Sequence, residues 1–153
     1  MKRTETQEPI ETFFSSPAYA VIGVSADRKK FGNVVYRTMK EKEFAVFPVH
    51  PTLDLVEGDA CWNSVMDLPG EVRSVVMVIP PAQTGNVVRQ CAEKGISSIW
   101  MQPGSASEEA IKEAEEKQMG VIHGQCILMF LEPVSSFHAL HRWIYKLVGV
   151  YPR

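Results

Sequence analysis

Residues 19–33 read YAVIGVSADRKKFGN: an apolar run ends in Gly23, passes Ser25 and the basic triplet Arg28, Lys29 and Lys30, and reaches a second glycine, Gly32. A buried strand that turns on a glycine into a polar loop, with a helical pattern beyond it, is how a βαβ unit begins. Four further apolar runs, FAVFPVH, SVVMVIP, SSIWMQ and GVIHGQ, recur along the chain between segments with helical signals. Near-continuous Val- and Ile-rich runs suit strands buried on both faces, so the sequence predicts an α/β fold, a doubly wound sheet of about five parallel strands with flanking helices.

The helical segments carry their own punctuation. Val34, Val35 and Met39 share one face of the first, which opens near Gly32 and Asn33. Val87, Val88, Cys91 and Ala92 share a face of a later one that stops at Gly95, a residue suited to a left-handed cap. Ser105 followed by Glu108 has capping-box spacing and predicts a helix with Ala110, Ile111 and Ala114 turned inward and Gly120 at its end. Pro48 has no amide to donate to a ladder and predicts the end of the second strand. The segment after Glu57 through MDLPGEV reads as a loop with at most a short helix. Beyond the sheet, Phe137, Leu140, Ile144, Leu147 and Val148 line one face of a C-terminal amphipathic helix, which either packs on the same domain or forms a homodimer.

Composition bounds the function. The 153 residues, 45% hydrophobic and 22% charged, fit one globular domain over residues 1–153. A net charge of −2 attracts neither a nucleic-acid backbone nor an anionic membrane, so any anion recognition is local. No apolar run approaches the roughly 18 residues of a bilayer span, and MKRTETQEPI lacks the apolar core of a secretory signal. A cytoplasmic protein is expected. Cys61, Cys91 and Cys126 are odd in number and without CxxC spacing, which fits reduced thiols.

In a doubly wound sheet, ligands sit outside the carboxyl ends of the strands, where the strand order reverses. Those ends are Gly23-Val24-Ser25, Val49-His50-Pro51, Ile79-Pro80-Pro81, Met101-Gln102-Pro103-Gly104 and Gly124-Gln125-Cys126, with no Asp or Glu among them. An NAD site uses G-x-G-x-x-G with an acid about 20 residues on, for the ribose hydroxyls. Here the loop is longer and the second strand ends in His50-Pro51. What is left suits phosphate: Gly23 for a tight turn, the Ser25 hydroxyl as a donor, a helix N-terminus near Gly32 and Asn33, and basic residues just outside.

Other chemistries have weaker footing. Residues 23–27 echo the G-x-S-x-G elbow of hydrolases but place Asp27 where the second glycine belongs. His123 and Cys126 form a nucleophilic pair only if the thiol is exposed and its pKa depressed; a packed pair at a strand end is simpler. His138 and His141 lack an evident third metal ligand.

In this order, VIGVSADRKKFGN, FAVFPVHP, MVIPPAQTGNVVRQC, SIWMQPG and the Cys126 segment resemble the small stand-alone CoA-binding domain proteins. Their domain is similar to the N-terminal CoA-binding domain of the succinyl-CoA synthetase alpha subunit, and the resemblance spans residues 19–130. It implies a Rossmann-like domain that binds coenzyme A or an acyl-CoA. The loop carrying Gly23, Val24, Ser25, Arg28 and Lys29, with Phe31, Gly32 and Asn33, then holds the phosphates. Val49, His50 and Pro51, with Ile79, Pro80 and Pro81, flank the adenosine and pantetheine portions, the prolines acting as rigid apolar walls. Met101, Gln102 and Pro103 line the other side near the pantetheine arm. A Cys126 standing at the cleft mouth near the pantetheine end would be placed for a mixed disulfide with the CoA thiol.

His50 departs from the small amide residue the resemblance implies, yet a ring nitrogen can still donate. The chain also ends where the synthetase's second domain begins, so a non-catalytic module acting through an unknown protein partner is expected. The alternative is an NADP- or other nucleotide-dependent enzyme using the same cleft, with the basic loop on the extra phosphate.

Overall fold

The structure, a computed structural model, describes residues 7–131. In chain order its strands are β1 (Ala18–Ile22), β2 (Val46–Val49), β3 (Leu55–Val56), β4 (Asp59–Ala60), β5 (Val72–Met77), β6 (Ser98–Met101) and β7 (Gly120–Ile122). The helices are α1 (Gln7–Phe13), α2 (Phe31–Glu41), α3 (Pro81–Lys94) and α4 (Glu108–Glu116). Five strands form one parallel sheet in the order β2-β1-β5-β6-β7, and β3 and β4 pair as a separate hairpin. The expected C-terminal helix with its homodimer face, and His138 and His141, lie outside the described residues.

The apolar runs become strands because both of their faces are covered. Tyr19, Val21, Val76 and Trp100 face a core shared with α1 and α2, while Ala20, Val75, Met77 and Ile99 face a second core shared with α3 and α4. Trp100 is fully buried and meets Phe13 and Phe130 edge-on, with ring centroids 5.3 and 5.2 Å away. Such pairs add about 0.5–1.5 kcal/mol beyond the area they bury. The sheet order makes β1 and β5 adjacent while the chain leaves them in opposite directions, and a crevice opens between the loops that follow them.

Several local expectations are corrected. Helix α1 has no counterpart among the sequence expectations; Pro9 is tolerated in its first turn, and Ile10, Phe13 and Phe14 bury against the sheet. Tyr36, rather than the half-buried Val34, completes the inward face of α2 with Val35 and Met39. Pro48 does not end β2. The strand is at the sheet edge, with β1 on one side and a bridge from Val49 to Trp62 on the other, and runs one residue further to Val49, while the Pro48 carbonyl accepts from the Trp62 amide at 2.9 Å.

The cap of α4 is Ser107, whose hydroxyl accepts from the Ala110 amide, and not Ser105. Ser105 is buried and instead accepts from the Ile79 amide at 3.0 Å, tying the loop after β6 to that after β5. Gly120 belongs to β7, whereas the expected left-handed Gly95 does close α3, with φ 93°. The segment read as loop begins in the turn of the β3–β4 hairpin, contains β4, and goes on to a short 3-10 turn at Val65–Asp67. Its turn residues Glu57 and Gly58 both have positive φ, 53° and 81°, the pattern of a type I′ turn. Among the described residues no helix is long and apolar enough to cross a membrane.

Candidate functional site

The chain leaves β1 through Gly23 at φ 115°, a conformation that side chains rarely adopt. A Cβ there would lie 1.9 Å from the Val78 carbonyl oxygen, and one on Gly32 would lie 2.2 Å from the Gly23 carbonyl oxygen. The two glycines therefore let β1, the strand exit at Val78 and the N-terminus of α2 come into backbone contact. The amides of a first helical turn have no intrahelical partner. At α2 the N-cap is Lys30 and at α3 it is Pro80, and neither supplies a side-chain cap, in contrast to Ser107 at α4.

Both uncapped ends border one cavity of about 980 Å³ over the carboxyl edge of β2, β1 and β5. Two positive dipole ends bordering one cavity favour an anionic ligand.

The loop between β1 and α2 is held from below. Asn33 is fully buried; its Oδ1 accepts from the Ser25 amide and its Nδ2 donates to the Ser25 carbonyl, both at 2.8 Å. The Ser25 hydroxyl accepts from the Asp27 amide at 3.1 Å, which leaves its proton to donate. The hairpin adds a second tie. Glu57 Oε1 accepts from Arg28 Nε at 2.9 Å, and its Oε2 accepts from Asn33 Nδ2 and from an Arg37 guanidinium nitrogen, both at 3.0 Å.

Burial raises the Glu57 carboxyl pKa, but the donors Asn33, Arg28 and Arg37 outweigh it and hold the group below the usual carboxylate range. Beside it Asp59 accepts from Lys40 and from the Tyr36 hydroxyl, and these bonds lower its pKa as well.

Of the residues expected at the site, the cavity brings together Gly23, Val24, Ser25, Phe31 and Gly32 from the first loop, Val49, His50 and Pro51 after β2, and Ile79 and Pro80 after β5. Others lie elsewhere. Arg28 is exposed and engaged by Glu57, and Lys29 is exposed on the loop; among the described residues the basic side chain of this triplet that lines the cavity is Lys30. Asn33 is beneath the loop with both side-chain groups engaged.

Met101 and Gln102 are buried under the far side of the sheet edge, where Gln102 Oε1 accepts from the Ile127 amide and Nε2 faces Cys126 Sγ at 3.4 Å. Pro103 is exposed on the same side, and neither it nor Cys126 lines the cavity. Cys91 is buried as expected, its thiol pushed up to about 12 by desolvation.

Sequence reasoning passed over Asn63 and Ser64 after the hairpin, and Gln83, Asn86 and Gln90 on α3, all of which line the cavity. Asn86 and Gln90 are four apart, on a different face of α3 from the buried Val88 and Cys91. That polar stripe was legible. The Glu57-Gly58 pair was also readable as a hairpin turn.

A parallel sheet with uncapped helices meeting a glycine turn at the strand-order reversal is the architecture of a nucleotide-binding α/β protein. Residues 17–132 match the CoA binding domain family, and the chain belongs to that family. It is 32% identical over 111 residues to the alpha subunit of the ADP-forming acetate–CoA ligase II of Pyrococcus furiosus, covering 70% of this chain and 24% of that subunit. The chain thus spans about a quarter of the length of that relative.

A match nearly coextensive with its counterpart is YneT of Bacillus subtilis, an uncharacterized protein, 27% identical over 127 residues that cover 83% of this chain and 94% of YneT. Among solved structures, a conserved hypothetical protein from Pyrococcus furiosus superposes with a TM-score of 0.71 at 35% identity, covering 73% of this chain and 97% of that one.

Proposed function

We propose that the protein binds coenzyme A, free or acylated, in the cleft over β2, β1 and β5, and acts in the cytoplasm through ligand-dependent contacts with a protein partner rather than by catalysis. The observation that carries this reading is the uncapped N-terminus of α2, pressed onto the Gly23 turn and opening on the cavity beside Lys30. The turn and helix end receive the phosphates. Pro51, Ile79, Pro80 and Val65 supply the apolar contact that the uncharged parts of the ligand need.

Kinship with an acetate–CoA ligase subunit supports coenzyme A as the ligand class. Of the described residues lining the cleft, Lys30 and His50 are the ionisable ones, and none is a carboxylate or a thiol.

Thermal unfolding with CoA, acetyl-CoA, NAD and NADP tests the reading. At about one hundred times its dissociation constant a ligand stabilises the fold by about 2.7 kcal/mol, which moves the midpoint by roughly 5–10 °C for a chain of this size. The expected result is a shift with CoA and acetyl-CoA. A shift with NADP alone transfers the cleft to the nucleotide-dependent enzyme reading, and a flat response to all four overturns both.

A further inference from the structure

We infer that His50 and Asn63 read the base of the bound nucleotide and select a 6-amino purine over a 6-oxo purine. The inference rests on the coenzyme A reading above and adds the base specificity that reading leaves open. Both residues line the cavity beyond β2, and the backbone fixes the polarity of each. His50 Nδ1 accepts from the amides of Thr52 at 3.1 Å and Leu53 at 3.2 Å. An amide N–H only donates, so Nδ1 carries no proton, and the neutral ring keeps its proton on Nε2 as a donor.

Asn63 Nδ2 donates to the carbonyls of His50 and Leu53, both at 3.0 Å. The reversed amide would set its oxygen against two carbonyl oxygens, so the orientation is fixed by its partners. With both N–H groups engaged, Oδ1 is the atom left for a ligand, and it is an acceptor.

The wall therefore offers one donor and one acceptor of fixed sense, on two side chains tied together through the His50 carbonyl. Adenine presents a 6-amino donor beside the acceptor N7, which complements that pair. A 6-oxo purine presents two acceptors on the same edge, so its O6 meets Asn63 Oδ1 with no proton between them. On the opposite edge the 6-oxo base has donor and acceptor exchanged relative to adenine, and a base anchored through its ribose and phosphates cannot turn to correct this. Pro51 and Val65, in the same cavity, give the flat ring its apolar contact.

Calorimetric titration of the full chain with CoA and with its 6-oxo analogue, in which hypoxanthine replaces adenine, decides the point. The parent protein should prefer CoA by on the order of 10- to 100-fold. Asn63→Leu removes the acceptor that meets the 6-position and should reduce the preference to about threefold or less, whereas His50→Leu removes a donor to N7, an acceptor in both bases, and should weaken both ligands alike. Equal binding of the two ligands by the parent overturns the inference and leaves the coenzyme A reading standing, as does an undiminished preference in a folded Asn63→Leu. Failure of the parent to bind either ligand removes the coenzyme A reading and this inference with it. Should Asn63→Leu not fold, the relative affinity of the parent for the two ligands still supports or overturns the inference.

Discussion

Gly23→Ala is expected to lower the stability of the fold by about 3 kcal/mol or more, and its thermal midpoint by roughly 10 °C. Two independent costs add at this position. The backbone sits at φ 115°, outside the regions open to an L-residue, and the new methyl would lie 1.9 Å from the Val78 carbonyl oxygen, which belongs to the backbone and cannot rotate away.

Gly32→Ala tests the same contact from its other side. Alanine is the better helix former by about 1 kcal/mol, so propensity alone predicts a gain. The 2.2 Å approach to the Gly23 carbonyl oxygen predicts a loss, with the N-terminus of α2 displaced from the turn and CoA affinity falling with it. Gly70 serves as the control: its φ is not positive and nothing lies within 4 Å of its added Cβ, so Gly70→Ala should stay within about 1 kcal/mol of the parent. Denaturant unfolding of the three variants reads the differences directly. A Gly23→Ala protein as stable as Gly70→Ala would mean that the turn does not require glycine.

The same contact shows why the sheet was legible in the sequence and the cleft only in part. Strands covered on both faces must be apolar along their length, so VVMV and SIWM declare themselves without knowledge of their neighbours. Residues just beyond β1, β2 and β5 were found for the same local reason, since each follows directly from a strand end. Strand order is not local. The cavity lies over β2, β1 and β5, while β6 lies on the far side of β5, so Met101 and Gln102 stand at a strand end yet away from the cavity.

Asn63, Gln83, Asn86 and Gln90 reach the cavity from a hairpin exit and a helix flank, and only the assembled sheet brings those to the crevice. The helix caps divide in the same way. Ser105 and Ser107 are both plausible caps by spacing, and the choice falls to Ser107 because Ser105 is drawn inward by the Ile79 amide.

Glu57 carries the other large expected effect, because it joins three segments through one carboxylate. Glu57→Gln leaves an amide N–H facing at least one donor among Arg28, Asn33 and Arg37. Arg28 is exposed and finds water, so its share is small. The amide therefore turns its oxygen to buried Asn33 and to Arg37 and its N–H to Arg28, and what is lost is the charge in the bonds to the two guanidinium groups, about 1–2 kcal/mol.

The backbone offers a counter-test. Glu57 pays roughly 1 kcal/mol for its positive φ, which Glu57→Gly recovers. If the carboxylate network outweighs that strain, Glu57→Gly is still less stable than the parent; if the glycine variant is the more stable protein, the network is not what holds the hairpin on the loop.

Acid separates the charge from the shape. The folded pKa of Glu57 lies below its ordinary value of 4.5, so the unfolded chain takes up the proton first. Its contribution is complete above that value and is lost as pH falls through the folded pKa. The parent should therefore lose more stability than Glu57→Gln on acidification below about pH 4.5, and their unfolding free energies should converge. Parallel acid profiles would assign the loss in Glu57→Gln to packing alone. Because Asn33 binds both Glu57 and the Ser25 backbone, Glu57→Gly, which removes the acceptor, should also bind CoA more weakly at neutral pH, where the fold itself is intact. Unchanged affinity would show that Asn33 holds the phosphate loop without help from the hairpin.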